Sequence, residues 1–144
     1  MRTKSLLPLF LIYLMAPPAM LWATNLSFTE HAISTSADGA ISVYVTDVDG
    51  DGDMDVLSAS TEDDKIAWYE NDGSESFTEH VISTSADRAY SVHAADVDGD
   101  GDMDVLSASF DDDKIAWYEN DGSESFTEHV ISTSADNARH GTIC

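Results

Sequence analysis

The chain repeats itself with a period of 49 residues. Residues 28–76 and 77–125 are identical at 41 of 49 positions, and a third copy begins at Phe126 and diverges after Asp136. A period of this size is typical of propellers and solenoids, in which each repeat is one supersecondary unit that cannot bury its apolar face alone. The fold must therefore place equivalent units side by side.

Each repeat predicts four short strands. They are expected at residues 42–46, 55–59, 65–70 and 78–82, separated by clusters of Asp, Asn, Gly, Ser and Thr. Apolar residues alternate within these runs, and no segment after the N-terminal apolar stretch shows a sustained period of 3.6 residues. We therefore predict an all-β fold of tandem four-stranded antiparallel propeller-type blades, two complete and a third partial, in an open or incomplete propeller.

Two identical acidic segments, DVDGDGDMD, dominate the chemistry of the chain. We call residues 47–55 loop 1 and residues 96–104 loop 2, and each carries five aspartates and two glycines. Such dense like charges repel one another unless a cation neutralises them, and Ca²⁺ takes about six to eight oxygen ligands. Ser58 and Ser107 stand where an EF-hand loop needs its last Glu, so that motif is excluded. About one Ca²⁺ per repeat is predicted, on Asp47, Asp49, Asp51, Asp53, Asp55, Asp96, Asp98, Asp100, Asp102 and Asp104.

The pattern D-x-D-G-D-G-x-x-D between two strands, followed by VLSAS and later WYEND, resembles the FG-GAP/VCBS repeats of integrin-α-like β-propellers. The resemblance implies that each loop joins the first two strands of a blade and binds Ca²⁺, with Asp53 and Asp102 acting through the main chain. The literal Phe-Gly and Gly-Ala-Pro signatures are absent. The family closes its propeller with about seven blades, whereas only two full copies occur here.

The first 23 residues predict a secretory signal peptide. A basic start is followed by an apolar run at residues 6–15 and by Ala23 as the expected cleavage point. An uncleaved anchor and a lipoprotein signal are the alternatives, although a lipoprotein would need a Cys at the cleavage point. We predict a secreted or cell-surface protein with repeat units at residues 28–76 and 77–125 and a truncated third repeat with a divergent tail at residues 126–144.

Composition excludes several classes of partner. Cleavage would remove Arg2 and Lys4 and leave four basic residues against 28 acidic ones, a net charge of −24. Nucleic acids and anionic lipids both require basic surfaces, so neither is an expected partner, and no segment after the signal predicts a membrane span. The single cysteine, Cys144, allows no internal disulfide and is interpreted as a terminal thiol or a link between chains.

The sequence does not predict an enzyme. His31, His80 and His129 recur at the repeat period as Thr-Glu-His, which favours a scaffold role, and no nucleophile motif or phosphate-binding loop is present. The leading hypothesis is a secreted, calcium-stabilised binding or adhesion module for a protein or glycan ligand, with self-association through open blade edges. The alternatives are a carbohydrate-binding or accessory domain of a larger secreted enzyme, and a gene fragment without independent function.

Overall fold

Two four-stranded antiparallel sheets make up the fold of residues 26–138, the part of the chain that the computed structural model describes. Blade 1 has the order β1-β2-β3-β4 and blade 2 the order β5-β6-β7-β8, and within the described range there is no helix. The predicted all-β class of incomplete propeller-type blades is confirmed. The strands are β1 (Ala40–Thr46), β2 (Asp55–Ser60), β3 (Lys65–Asn71), β4 (Phe77–Ser83), β5 (Ala89–Ala95), β6 (Asp104–Ser109), β7 (Lys114–Asn120) and β8 (Phe126–Ser132).

Both blades lie in the compact unit of residues 31–144. In the preceding unit only residues 26–30 are described, and they form neither helix nor strand. The predicted signal peptide at residues 1–23 and the terminal Cys144 lie outside the described residues. Within residues 26–138 we find no helix with the length and hydropathy needed to cross a membrane.

Each blade is a simple meander whose connections follow the turn formers of the sequence. Loop 1 connects β1 to β2, which pair at Thr46 and Asp55, and the β2–β3 turn is closed by the pair of Ser60 and Lys65. The NDGSES turn then leads to β4, where Phe77 pairs with Asn71. The fourth strand of blade 1 is thus formed by the opening residues of the second sequence repeat.

The hydrophobic core lies between the blades. Leu57, Ile66 and Trp68 of blade 1 are fully buried in one cluster with Val105 and Tyr118 of blade 2. Strand β2 is buried on both of its faces from Leu57 onward, so the alternation expected of a half-exposed strand is lost there. The blades therefore stabilise each other through the apolar surface that a single repeat could not bury.

Within residues 26–138 the stack of blades is open at both ends. Val92 on β5 is 5% exposed because it packs in the core between the blades, whereas its counterpart on β1, Val43, is 68% exposed. At the other end Ile115 is only half-buried, although its counterpart in blade 1, Ile66, is fully buried. Each end thus presents one half of the interface that joins the two blades in the middle.

Candidate metal centre

Hydrogen bonds from backbone amides to aspartate side chains shape loop 1. Asp47 accepts from the amides of Gly50 and Gly52 at 2.7 and 3.0 Å, and Asp49 accepts from the amide of Asp51 at 3.1 Å. Gly50 and Gly52 have φ values of +79° and +99°, a region that residues with a Cβ rarely adopt. The bonds to the amides of residues 50 and 51 recur at the equivalent positions of loop 2. Both loops therefore curl around their own carboxylates.

Three of the predicted side-chain ligands converge in each loop. Asp47, Asp49 and Asp55 each offer a carboxylate oxygen, and these oxygens lie within 4.8 Å of one another. In loop 2 the same holds for the oxygens of Asp96, Asp98 and Asp104. Hard oxygen ligands at this spacing suit a calcium ion, and such a cation would offset the repulsion between the carboxylates.

Desolvation and the crowding of negative charge together raise the pKa of one aspartate in each loop. Desolvation raises the pKa of Asp49 in spite of the hydrogen bond from the amide of Asp51, and the charges of Asp55, Asp51 and Asp47 raise it further. In loop 2 the amide of Asp100 acts to lower the pKa of Asp98. Desolvation and the neighbouring negative charges outweigh that hydrogen bond, so the pKa of Asp98 is raised as well. Each loop is therefore a site of unfavourable like-charge contact in the absence of a cation.

The aspartate at the ninth position of each loop has a second role that the sequence did not reveal. Asp55 is fully buried and accepts the amides of Val48 and Asn71 at 2.9 and 2.8 Å, one on each carboxylate oxygen. Asp104 makes the equivalent pair of bonds in blade 2. This carboxylate therefore connects the start of its loop to the end of the third strand of the blade. It makes these two hydrogen bonds independently of any role as a metal ligand.

The side chains of the fifth and seventh positions lie outside the convergent group. Asp51 accepts the amide of Asp53 at 2.8 Å, and the carboxylate of Asp53 faces the NDGSES turn. A Cβ on Gly73 would lie 2.5 Å from an Asp53 carboxylate oxygen and would displace that side chain, and the φ of +75° at Gly73 also favours glycine. The same arrangement joins Gly122 and Asp102, and Asp100 accepts from Asp102 as Asp51 does from Asp53. Asp53 and Asp102 were predicted to bind the cation through their backbone carbonyls, so the position of their side chains outside the convergent group is compatible with that prediction.

A nearly buried lysine joins three segments of each blade. Lys65 is 8% exposed, and its ammonium donates to Glu79 at 2.8 Å and to the carbonyl of Ser36 at 3.1 Å, with Asp63 also at 3.1 Å. The hydrogen bond from Lys65 lowers the pKa of Glu79, and the same bond raises the pKa of Lys65. Blade 2 repeats the arrangement with Lys114, Glu128, Asp112 and Ser85.

The sequence carried a signal for these lysines. The chain has only six basic residues, and Lys65 and Lys114 are the two that recur at the 49-residue period. In so acidic a chain a recurring lysine has carboxylates near it in every repeat, and lysine is almost never buried unless it is paired. The lysine therefore stabilises the blade rather than the metal site.

The recurring histidines pack on the recurring tryptophans. The ring of His80 stacks on Trp68 with centroids 4.4 Å apart, and its Nε2 lies 2.8 Å from a carboxylate oxygen of Glu70. In blade 2, His129 stacks on Trp117 at 4.6 Å and lies 2.6 Å from Glu119. These contacts join the third and fourth strands of each blade and hold the imidazole in a fixed orientation.

Tandem four-stranded antiparallel blades, each with an acidic loop between its first two strands, define a propeller-type repeat protein. A model of the FG-GAP-like repeat family matches residues 47–107 and 96–143. The chain therefore belongs to the FG-GAP-like repeat family, as the resemblance of its loops predicted. Among curated proteins, a search finds no match to this chain.

Proposed function

We propose that the chain is a secreted calcium-binding module that acts in binding or adhesion and not in catalysis. The observation that carries the proposal is the convergence of three carboxylates in each loop, at the point where the first two strands of the blade meet. Membership of the FG-GAP-like family supports a propeller-type repeat module. Secretion is supported by the basic and apolar pattern of residues 1–23.

The donor set of loop 1 favours Ca²⁺ over Mg²⁺. Asp47, Asp49 and Asp55 would bind through carboxylate oxygens and Asp53 through its carbonyl. Asp51, the fourth predicted side-chain ligand, would have to turn its carboxylate away from the amide of Asp53 to join them. Calcium accepts irregular shells of carboxylates and carbonyls, whereas Mg²⁺ requires a near-octahedral shell and usually keeps several waters. Loop 2 offers the same set, so we expect two ions per chain with a structural role in joining the strands.

A calcium titration of the metal-stripped chain tests this proposal. We expect calorimetry to find two calcium ions per chain. Asp49→Asn and Asp98→Asn should each weaken calcium binding to one of the two sites at least about tenfold, since each substitution removes the charge of one ligand. Glu62→Gln, which neutralises an exposed carboxylate outside the loops, is the matched control and should leave both sites intact. Binding that responds equally to all three substitutions would show a diffuse acidic surface instead of two sites.

The open ends of the stack favour self-association as one binding activity of this chain. Within one chain, blade 1 covers Val92 on β5 of blade 2, whereas the equivalent residue of blade 1, Val43 on β1, is exposed. Blade 2 of a second copy could cover β1 in the same way that blade 1 covers β5. Residues 133–138 block this contact, because the amide of Ala135 donates to the carbonyl of Asp113 at 2.9 Å. Residues 35–40 of the second copy, which are equivalent in the repeat, would need the same position. Association therefore requires the release of this segment.

Truncation after Ser132 is expected to convert a weakly associating chain into a stable oligomer of about two to four copies, because propellers close with about four to eight blades. Light scattering in the presence of Ca²⁺ measures the mass. Val43→Asp in the truncated chain should restore the monomer, since it places a charge on the covered face. A truncated chain that stays monomeric would refute association through this face.

A further inference from the structure

We propose that the junction between the blades holds a second kind of metal site, formed by Glu70, His80 and Glu124, which takes a divalent transition-metal ion such as Zn²⁺. The three side chains offer two carboxylate oxygens and an imidazole nitrogen, all within 4.8 Å of one another. Glu70 lies on β3 and His80 on β4 of blade 1, whereas Glu124 lies in the turn between β7 and β8 of blade 2. The site is therefore complete only where two blades meet.

The chemistry of the ligands distinguishes this site from the acidic loops. Imidazole is a favourable ligand for Zn²⁺, Cu²⁺ and Ni²⁺ and a poor one for Ca²⁺, which prefers oxygen. A set of one histidine and two carboxylates resembles the three-ligand zinc centres in which a fourth position is left for water or another ligand. We therefore expect the junction to select Zn²⁺ even when Ca²⁺ fills the loops.

The first two ligands are already held in place. His80 stacks on Trp68 with an interplanar angle of 23°, and its Nε2 lies 2.8 Å from Glu70. Trp68 is fully buried, so the imidazole rests on a rigid surface. A metal that replaces the proton between Nε2 and the carboxylate would find these two ligands in place, at little cost in side-chain freedom for the pair.

The repeat supplies an independent observation in favour of the site. His31 and Glu75 lie 49 residues before His80 and Glu124, and they too form a pair, with Nδ1 3.6 Å from a carboxylate oxygen. At the other end Glu119 and His129 repeat the pair of Glu70 and His80. Each open end of the described stack thus carries two of the three ligands, and the one junction carries all three.

Zinc titration of the full chain in excess Ca²⁺ tests the inference. We expect one Zn²⁺ per chain by calorimetry, and a cobalt derivative whose visible absorption reports the coordination number and geometry of the bound ion. His80→Ala and Glu124→Gln should each weaken zinc binding at least about tenfold, because each removes one of three ligands. Glu124 is exposed, so its substitution leaves the core untouched and the variant folds.

His129→Ala is the matched control. This substitution removes the equivalent imidazole of blade 2, which stacks on Trp117 and lies beside Glu119. In the described part of the chain, His129 and Glu119 have no third ligand near them. Zinc affinity should therefore be unchanged in this variant. The inference is overturned if no zinc binds once Ca²⁺ is in excess, or if His129→Ala weakens binding as much as His80→Ala.

Discussion

Replacing Asp55 with alanine is expected to destabilise the chain by about 2–6 kcal/mol, because each of two backbone amides loses its acceptor at a cost of about 1–3 kcal/mol. Asp55 is fully buried, and Val48, one of the two donors, is 3% exposed, so water cannot replace the lost carboxylate freely. The other donor, Asn71, ends the third strand, so that strand would lose its tie to the loop. Urea unfolding followed by circular dichroism measures the change.

Asp51→Ala is the control that separates this structural role from calcium binding. Asp51 belongs to the same predicted ligand set, but its side chain is exposed and accepts only the amide of Asp53. In excess Ca²⁺ both variants should be less stable than the unmodified chain, because each lacks one calcium ligand. In chelator only Asp55→Ala should remain strongly destabilised, and the free energy of unfolding of Asp51→Ala should lie within about 1 kcal/mol of that of the unmodified chain. Equal destabilisation in chelator would contradict the structural role of Asp55.

The strands and the loops were predictable because their signals are local. Turn formers bound every predicted strand, and the structure extends these strands by no more than two residues at either end. The acidic loops carry all of their predicted calcium ligands within nine consecutive residues. Their positions, between β1 and β2 and between β5 and β6, follow from the strands that flank them. The 49-residue period then fixed the number of blades without any knowledge of their packing.

Several of the contacts that the sequence did not reveal join residues far apart in the chain. Asp55 reaches the amide of Asn71 across the blade, and Lys65 reaches Glu79 and the carbonyl of Ser36. The group around His80 draws Glu124 from the other blade. Such contacts depend on strand register and on how blades stack. A periodic sequence shows that these residues recur, but their partners emerge only when the sheets are formed.

Removing Ca²⁺ from the chain is expected to lower Tm by about 20 °C. A ligand at a hundredfold excess over its Kd stabilises the folded state by about 2.7 kcal/mol per site, so two sites contribute about 5 kcal/mol. For a domain of this size each kcal/mol corresponds to roughly 4 °C. Desolvation and the neighbouring negative charges, which together raise the pKa of Asp49 and Asp98, act in the same direction, because chelation leaves those carboxylates without a counter-ion. Thermal unfolding in Ca²⁺ and in chelator measures the difference.

Two further measurements decide whether that shift belongs to the loops. The double variant Asp49→Asn with Asp98→Asn should lose about half or more of the difference in Tm between Ca²⁺ and chelator. At the same Ca²⁺ concentration a tenfold weaker site still contributes about 1.4 kcal/mol. The difference should also shrink below about pH 4, since the ligand carboxylates must be ionised to bind the cation. An unchanged midpoint on chelation of the unmodified chain would refute a structural calcium site. A double variant that responds to chelation as strongly as the unmodified chain would place the stabilising cation outside the two loops.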